Sequence, residues 1–294
     1  MLSICIPVYH FHAQALVSAL SAQLEQLDIP GEILLFDDAS TEFVQENLAL
    51  NSLPHVTVRH LDTNVGRAQI RNLLGNTAQY DWLVFIDGDA LVQDDQFLQR
   101  YLDHAPGHPV MVGGTAYQEE APRPDWNLRW WYGRNREQVP AALRNQHPNR
   151  SFTTFNFLIH RSIFQRFPFE SSIQGYGHED TLMGLKLAQA GIPVFHLDNA
   201  LIHDGLEPTD RFLDKTRVGV RNLMRLYRET EWSDALGEDV KLLRYFRKLE
   251  RLRLQGVGRV VFRLFRNPLE RTLHRQNPNL LWMDLYKLGL CCES

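Results

Sequence analysis

Four short runs of apolar and β-branched residues open the chain: Leu2–Val8, 33–36, Val56–His60 and Trp82–Ile86. Each has the length and make-up of a strand. Between them, residues 14–27, 41–48 and Arg67–Thr77 carry apolar side chains at helical spacing. Strand alternating with helix predicts βαβ units around a parallel sheet. The runs are apolar almost without interruption, so helices are expected to cover both faces of that sheet. Ligands of such sheets collect beyond the carboxyl ends of the strands. The polar clusters fall there: Pro7, Val8 and Tyr9 close the first run, and Asp37-Asp38-Ala39-Ser40 the second. Asn64-Val65-Gly66-Arg67 follows the third, and Asp87-Gly88-Asp89 the fourth.

A further strand is expected at 110–114, after which periodicity weakens. Residues 118–150 hold Trp126, Trp130, Trp131, Tyr132 and six arginines in no regular pattern. A long aromatic-rich insertion of this kind is more often functional than idle. Order returns with expected strands at 157–160, 194–197 and Leu201–His203, a glycine turn at 175–177 and a helix near 179–190. From Thr209 onward the chain reads as helical, with Leu243, Phe246, Leu249 and Leu252, then Val257, Val260, Val261 and Leu264, near helical spacing.

Composition narrows the class. The 294 residues, 44% hydrophobic and 22% charged, allow a sizeable core and exclude a disordered chain or a disulfide-stapled miniprotein. No apolar run approaches the roughly 20 residues of a bilayer-spanning helix. The opening MLSICIPVYH reads as a strand, not a signal peptide. Cys5, Cys291 and Cys292 are too few for a disulfide framework or a zinc site, so a reduced, cytoplasmic chain is expected. The net charge of −4 conceals an asymmetry. Eleven basic residues between Lys241 and Arg275 face only Glu250 and Glu270, giving that stretch +9 and the remainder −13. It reads as a helix on an anionic membrane, as a contact for an acidic polysaccharide or partner protein, or as a solvated arginine face. No nucleic-acid recognition motif accompanies it, and no nucleic-acid partner is expected.

Several clusters can carry chemistry. Asp87 and Asp89 put two carboxylates just past a buried strand, where a divalent ion or a donor must compensate their charge. Gly88 between them would let a ligand approach the backbone. One of Asp37 and Asp38 can accept hydrogen bonds from a nucleobase edge, or Asp38 or Ser40 can cap the next helix. Arg67 and Arg71, four apart behind Gly66, lie on one helix face and suit a phosphate or a salt bridge. Glu179 and Asp180 open a helix behind Gly175-Tyr176-Gly177-His178, where the dipole keeps acids ionised and able to take a proton. His203, before Asp204-Gly205, is a candidate metal ligand with His196 as its rival.

In this order, the acidic strand ends, the glycine-opened arginine helix, Asp-Gly-Asp, GYGHED and the later IHDG closely resemble family 2 glycosyltransferases. The resemblance covers about residues 3–205. It implies a GT-A-type α/β fold: a mixed, mostly parallel central sheet flanked by helices. Residues 1–208 would form that domain, with a nucleotide-sugar half at about 1–115 and an acceptor half at about 116–208. Residues 209–294 would be a helical, basic C-terminal extension. It further implies that Pro7, Val8, Tyr9 and Asp38 surround base and ribose, with Asp37, Asn64, Gly66, Arg67, Arg71, Asp87 and Gly88 also on the donor side. Asp89 and His203 would bind Mn²⁺ or Mg²⁺, Asp180 would act as base and Glu179 would orient the acceptor. Trp130, Trp131, Gly177 and His178 are acceptor candidates; residues 118–150 otherwise match nothing residue by residue, and Ile70 stands where many relatives have alanine. The implied activity is an inverting, metal-dependent transfer from a nucleotide sugar, UDP-linked, to a glycan or lipid-linked saccharide in polysaccharide biosynthesis. A peripheral membrane contact through 241–275 would suit a lipid-linked acceptor. The rivals are a non-catalytic nucleotide-sugar sensor or scaffold, and a sugar nucleotidyltransferase, which would want a phosphate loop absent from this N-terminus.

Overall fold

The computed structural model describes every residue except Pro122, Ser172, Ile173, Gln174 and Tyr176. The chain clusters into two units. Met1–Tyr117, Glu137–Ser172 and Glu179–Gly205 form the first; Gln118–Arg136, Ile173–His178 and Leu206–Ser294 form the second.

The first unit is built on strands β1 (Leu2–Val8), β2 (Gly31–Asp37), β3 (Val56–His60), β4 (Trp82–Ile86), β5 (Ala90–Leu91), β6 (Val110–Val112), β7 (Thr115–Ala116), β8 (Asn156–His160), β9 (Phe195–His196) and β10 (Leu201–His203). Seven of them make one sheet in the order β3-β2-β1-β4-β8-β6-β9. β1 to β4 run parallel, whereas β8 lies antiparallel between β4 and β6. The sheet is therefore mixed and mostly parallel. Its strands are apolar on both sides for the expected reason. Ile4, Ile6 and Val8 pack into one core with Leu16, Val17 and Leu20 of the Gln14–Gln26 helix. Cys5, Leu34, Phe36 and Phe85 point the other way, onto Ala68, Ile70 and Leu74 of the Arg67–Thr77 helix. Register pairs Val8 with Asp37, and Asp37 with His60, so the carboxyl ends of β1, β2 and β3 meet at one edge. β4 pairs with β1 through Cys5 and Phe85, which brings Asp87 to the same edge.

Some boundaries differ from the sequence reading, each with a local cause. The helix expected from residue 41 begins at Val44, because Phe43 adopts a left-handed φ of 57°. The strand expected through 114 ends at Val112, before Gly114 at φ 99°. The expected 194–197 strand is only Phe195–His196. The irregular insertion contains the short Asn127–Tyr132 and Ala141–Arg144 helices, with too few turns to leave a periodic trace.

The second unit is helical: Thr209–Glu229, Ser233–Asp239, Lys241–Arg251, Gln255–Leu273 and Leu280–Glu293. Val220, Leu223, Leu243, Phe246, Phe262 and Tyr286 are buried in it. No helix among the described residues is long and apolar enough to cross a membrane. All three cysteines are free and buried.

Candidate active site

The loop after β2 is tied down by its own acids. Asp38 accepts hydrogen bonds from the Val65 and Gly66 amides at 2.7 and 2.9 Å, one on each carboxylate oxygen. Its main-chain oxygen accepts from the Asn64 side chain at 2.9 Å. Asp37 accepts from the Ser40 amide at 3.0 Å and pairs with His60 Nδ1 at 3.0 Å. Both acids are buried, at 1% and 5% exposure. Neither caps the following helix, whose N-cap is Phe43. What they organise is the entry to the Arg67–Thr77 helix, where Gly66 holds a positive φ of 85° that an L side chain would resist.

That helix delivers two arginines to one carboxylate. Arg71 bonds Asp87 Oδ1 through Nη2 and the Arg67 carbonyl through Nη1. Arg67 donates to Asp87 Oδ2 at 3.1 Å and to Glu179 Oε1 at 2.9 Å. Arg67 thus joins residues 20 and 112 positions away in sequence. The shared helix face is as expected, but the part suggested for Arg71 beside a phosphate needs correcting. It is 1% exposed, sealed beneath Asp87, and supports the site from below. The Arg67 side chain keeps 39% exposure. Burial pushes Glu179 up, yet the Arg67 and Arg71 charges outweigh it and hold the carboxyl below its ordinary value.

Asp89 meets a different partner, His203. β10 pairs antiparallel with β5, His203 opposite Ala90, and this sets His203 Nε2 3.2 Å from Asp89 Oδ2. The rings of Phe155 and Tyr117 stand edge-on to His203 at 5.3 and 5.7 Å between centroids. Gly205 closes the site from the other side, since a Cβ there would come within 2.2 Å of the Asp89 carboxylate. The space at Gly88 belongs to Pro7 and Val8, not to a ligand: a Cβ would lie 3.0 Å from the Pro7 carbonyl. His196 is settled as a structural residue. Its Nδ1 accepts from Arg144 at 2.8 Å, its Nε2 donates to the Pro148 carbonyl at 2.8 Å, and burial pushes it down to about 4.

Asp180 is half-buried in the first turn of the Glu179–Gln189 helix. Its Oδ1 accepts from the Thr181 amide at 2.6 Å. Burial, reinforced by the negative Glu179, pushes its carboxyl up to about 6. That value suits a group that must be ionised near neutrality and still bind a proton readily.

Among the described residues, no three His, Cys, Asp or Glu side chains gather into a metal-holding cluster. The Asp89 and His203 pair nonetheless fits a hard or borderline ion. It offers one carboxylate oxygen and one imidazole nitrogen, and Mg²⁺-type sites commonly draw their remaining ligands from substrate phosphates and water. Ligation through Nε2 would require the ring to surrender the proton it shares with Asp89.

The remaining candidates are distributed as follows. Tyr9 follows β1 as an exposed ring, 54% accessible, 3.9 Å from the His10 ring. Pro7 and Val8 lie within β1 itself. Trp130 and Trp131 are half-buried in the second unit, their rings 6.0 Å apart, with Trp130 Nε1 donating to the Gln118 carbonyl at 2.9 Å. Gly177 and His178 also belong to that unit, at φ 95° and 74°. Tyr176 of the glycine turn lies outside the described residues. Sequence reasoning missed Thr181, Phe155, Tyr117 and the steric part of Gly205. Only the last had a signal, a glycine two residues past the candidate ligand.

The family model for glycosyl transferase family 2 matches residues 3–167, more than half of the chain. The chain belongs to that family. The match spans the Asp37, Arg67 and Asp87 elements and ends before Glu179, Asp180 and His203. Two uncharacterized glycosyltransferases of Haemophilus influenzae are similar to this family member. One is 37% identical over 89 residues, 30% of this chain and 29% of the relative. The other is 29% identical over 120 residues, 39% of this chain and 46% of the relative. The chain thus spans less than half the length of either. Among solved structures, a mannosyltransferase from Pyrobaculum calidifontis in complex with GDP-Man and Mn²⁺ superposes with a TM-score of 0.62 at 15% identity. That likeness covers 98% of this chain and 85% of the other. TarS of S. aureus in complex with UDP-GlcNAc gives 0.50 at 16% identity, over 97% and 89%. The fold of this glycosyl transferase family 2 chain is of the GT-A type.

Proposed function

We propose that the chain transfers a sugar from a nucleoside-diphosphate donor, a UDP-sugar in the first instance, to a hydroxyl of a glycan or lipid-linked saccharide, with a divalent metal and inversion at the anomeric carbon. One observation carries the reading: Arg67 ties Glu179 to Asp87 at the sheet edge, and Asp180, next to Glu179, has a carboxyl raised to about 6. Donor-side and base elements are thereby linked through one side chain.

The chain's own residues divide the work. Tyr9 and the ends of β1 and β2 would flank base and ribose. The exposed part of Arg67 would lie on the donor side, near the diphosphate, where a guanidinium pairs well with phosphate oxygens. Asp89 and His203 would hold Mn²⁺ or Mg²⁺, which when bound supplies positive charge to the departing nucleoside diphosphate. Glu179, fixed by Arg67, would orient the acceptor. Asp180 would take the proton of the acceptor hydroxyl as its oxygen bonds the anomeric carbon. The bond to the diphosphate breaks on the opposite face, its electron pair leaving with phosphate. One displacement inverts the centre and needs no covalent enzyme intermediate. Solved proteins of this fold hold GDP-Man with Mn²⁺ and UDP-GlcNAc, which supports a nucleotide sugar and leaves base and hexose type to assay. We read the setting as cytoplasmic, consistent with three unpaired cysteines, with 241–275 touching the inner face of the membrane.

Asp180→Asn tests the base. Sugar transfer should fall by about 10³-fold, with donor affinity within about twofold of wild type. The wild-type rate should decline as pH falls through about 6, because the base works only when ionised and its raised value sets that limb. Transfer at the normal rate by the variant would remove Asp180 from the chemistry.

A further inference from the structure

The basic stretch read from sequence as charge alone carries something else in the structure. On the Gln255–Leu273 helix, Val257, Val261, Leu264 and Phe265 follow one another at helical spacing and all face solvent. Trp282 and Leu285 of the Leu280–Glu293 helix are also exposed. These six range from 44% to 71% exposure. Between the two helices runs a groove of about 370 Å³ to which no charged side chain contributes. A soluble surface seldom leaves so many large apolar groups together, and such patches mark contact sites.

We propose that this apolar face inserts into the interfacial layer of an anionic lipid bilayer. The charges argue for that occupant. Eleven basic residues against two acidic ones lie between Lys241 and Arg275. Arg244, Arg251, Arg253 and Arg271 are exposed and form no ion pair among the described residues. A second copy of the chain would bring the same +9 segment against itself in a two-fold contact, and like charges oppose that pairing. A bilayer of acidic lipids meets both features: its headgroups attract the arginines and its acyl boundary accepts the apolar stripe. Arg259 and Arg263 of the same helix are engaged by the Cys292 carbonyl at 2.8 Å and Glu293 at 3.1 Å.

Insertion deepens the membrane contact named above and is independent of the sugar-transfer reading. The test is cosedimentation of the full chain with vesicles of phosphatidylcholine, alone or with about one-third phosphatidylglycerol. Wild-type protein should bind the anionic vesicles at least about tenfold better than the neutral ones. A measurable fraction should stay bound in about 0.5 M salt, where screening removes most of the charge attraction but not the apolar part. The double substitution Leu264→Ser, Phe265→Ser should weaken binding at least about tenfold while leaving the thermal midpoint and transfer to a soluble acceptor unchanged. No binding to anionic vesicles, equal binding to neutral ones, full release by salt, or unchanged binding by the double variant would each overturn the proposal. A concentration-dependent dimer dispersed by the same two substitutions in sedimentation would overturn it in favour of a second copy. Loss of transfer in wild type with vesicle binding intact would strike the catalytic reading alone.

Discussion

Asp37 and Asp38 after β2, and Asp87 and Asp89 after β4, are two acid pairs at one sheet edge, each behind a buried parallel strand. The first pair is consumed by its own loop. Four hydrogen bonds, from Ser40, His60, Val65 and Gly66, account for its four carboxylate oxygens. The second pair is split. Asp87 is held by two arginines, while Asp89 faces His203 with 30% of its side chain exposed. A carboxylate whose oxygens are filled by short main-chain bonds shapes the backbone. One that faces an imidazole nitrogen and keeps part of its side chain exposed can exchange that partner for a cation. Acids after parallel strands therefore serve two ends, and the kind of partner each carboxylate meets separates them.

Asp89→Asn is the sharpest break in this comparison. The amide keeps the volume and removes the charge, so transfer should drop by about 10³-fold or more, together with Mn²⁺-dependent thermal stabilisation. The melting temperature without added metal should move little. Ordinary Mn²⁺ stabilisation in the variant would return Asp89 to the class of Asp38. Gly205→Ala should act on the same carboxylate by a smaller amount. The three atoms nearest its new methyl all belong to Asp89, so Asp89 must rotate. About 10- to 100-fold loss of transfer is expected from that displacement, with Mn²⁺ affinity reduced in step. A variant with normal metal response would show that Asp89 needs no support from this side.

The parallel sheet and the succession of its strands along the chain were legible because alternation of apolar and polar clusters states them directly. Ile4 and Ile6 against Cys5 already distinguish two covered faces. The strand-end acids were legible for the same reason, as polar residues abruptly ending buried runs. What a carboxylate does there was not, because an aspartate held by main-chain amides and one facing an imidazole look alike in sequence. The donors that engage Asp38 come from residues 65 and 66, and Arg71 is buried by Phe169 and Asp87 from elsewhere in the chain. Pairings of that kind depend on register and loop path. The membrane face was half legible: charge gave the arginines, but helical periodicity marks a stripe without saying whether it turns inward or out. Phe262 and Phe265 lie three positions apart on one helix, one buried and the other 58% exposed.

The smallest effect on rate, and the one that most sharpens the comparison, belongs to Asp38→Asn. The asparagine side chain offers one acceptor oxygen where two amides, Val65 and Gly66, now find two. Whichever way it turns, its NH₂ faces an N–H, leaving one main-chain donor without its carboxylate partner. Bonds to a charged acceptor are worth about 1.5–3 kcal/mol each, and the loss should appear as that much stability in chemical denaturation. The main-chain bonds of Asp38, to Val8 and from Asn64, would survive, so the loop should re-form once folded. Donor KM should then change by less than about threefold, because this carboxylate shapes the entry to the arginine helix and the exposed Arg67 does the rest. A tenfold rise in KM with unchanged stability would mean that Asp38 releases its amides to grip the donor. In that case the two acid pairs would differ only in their resting partners.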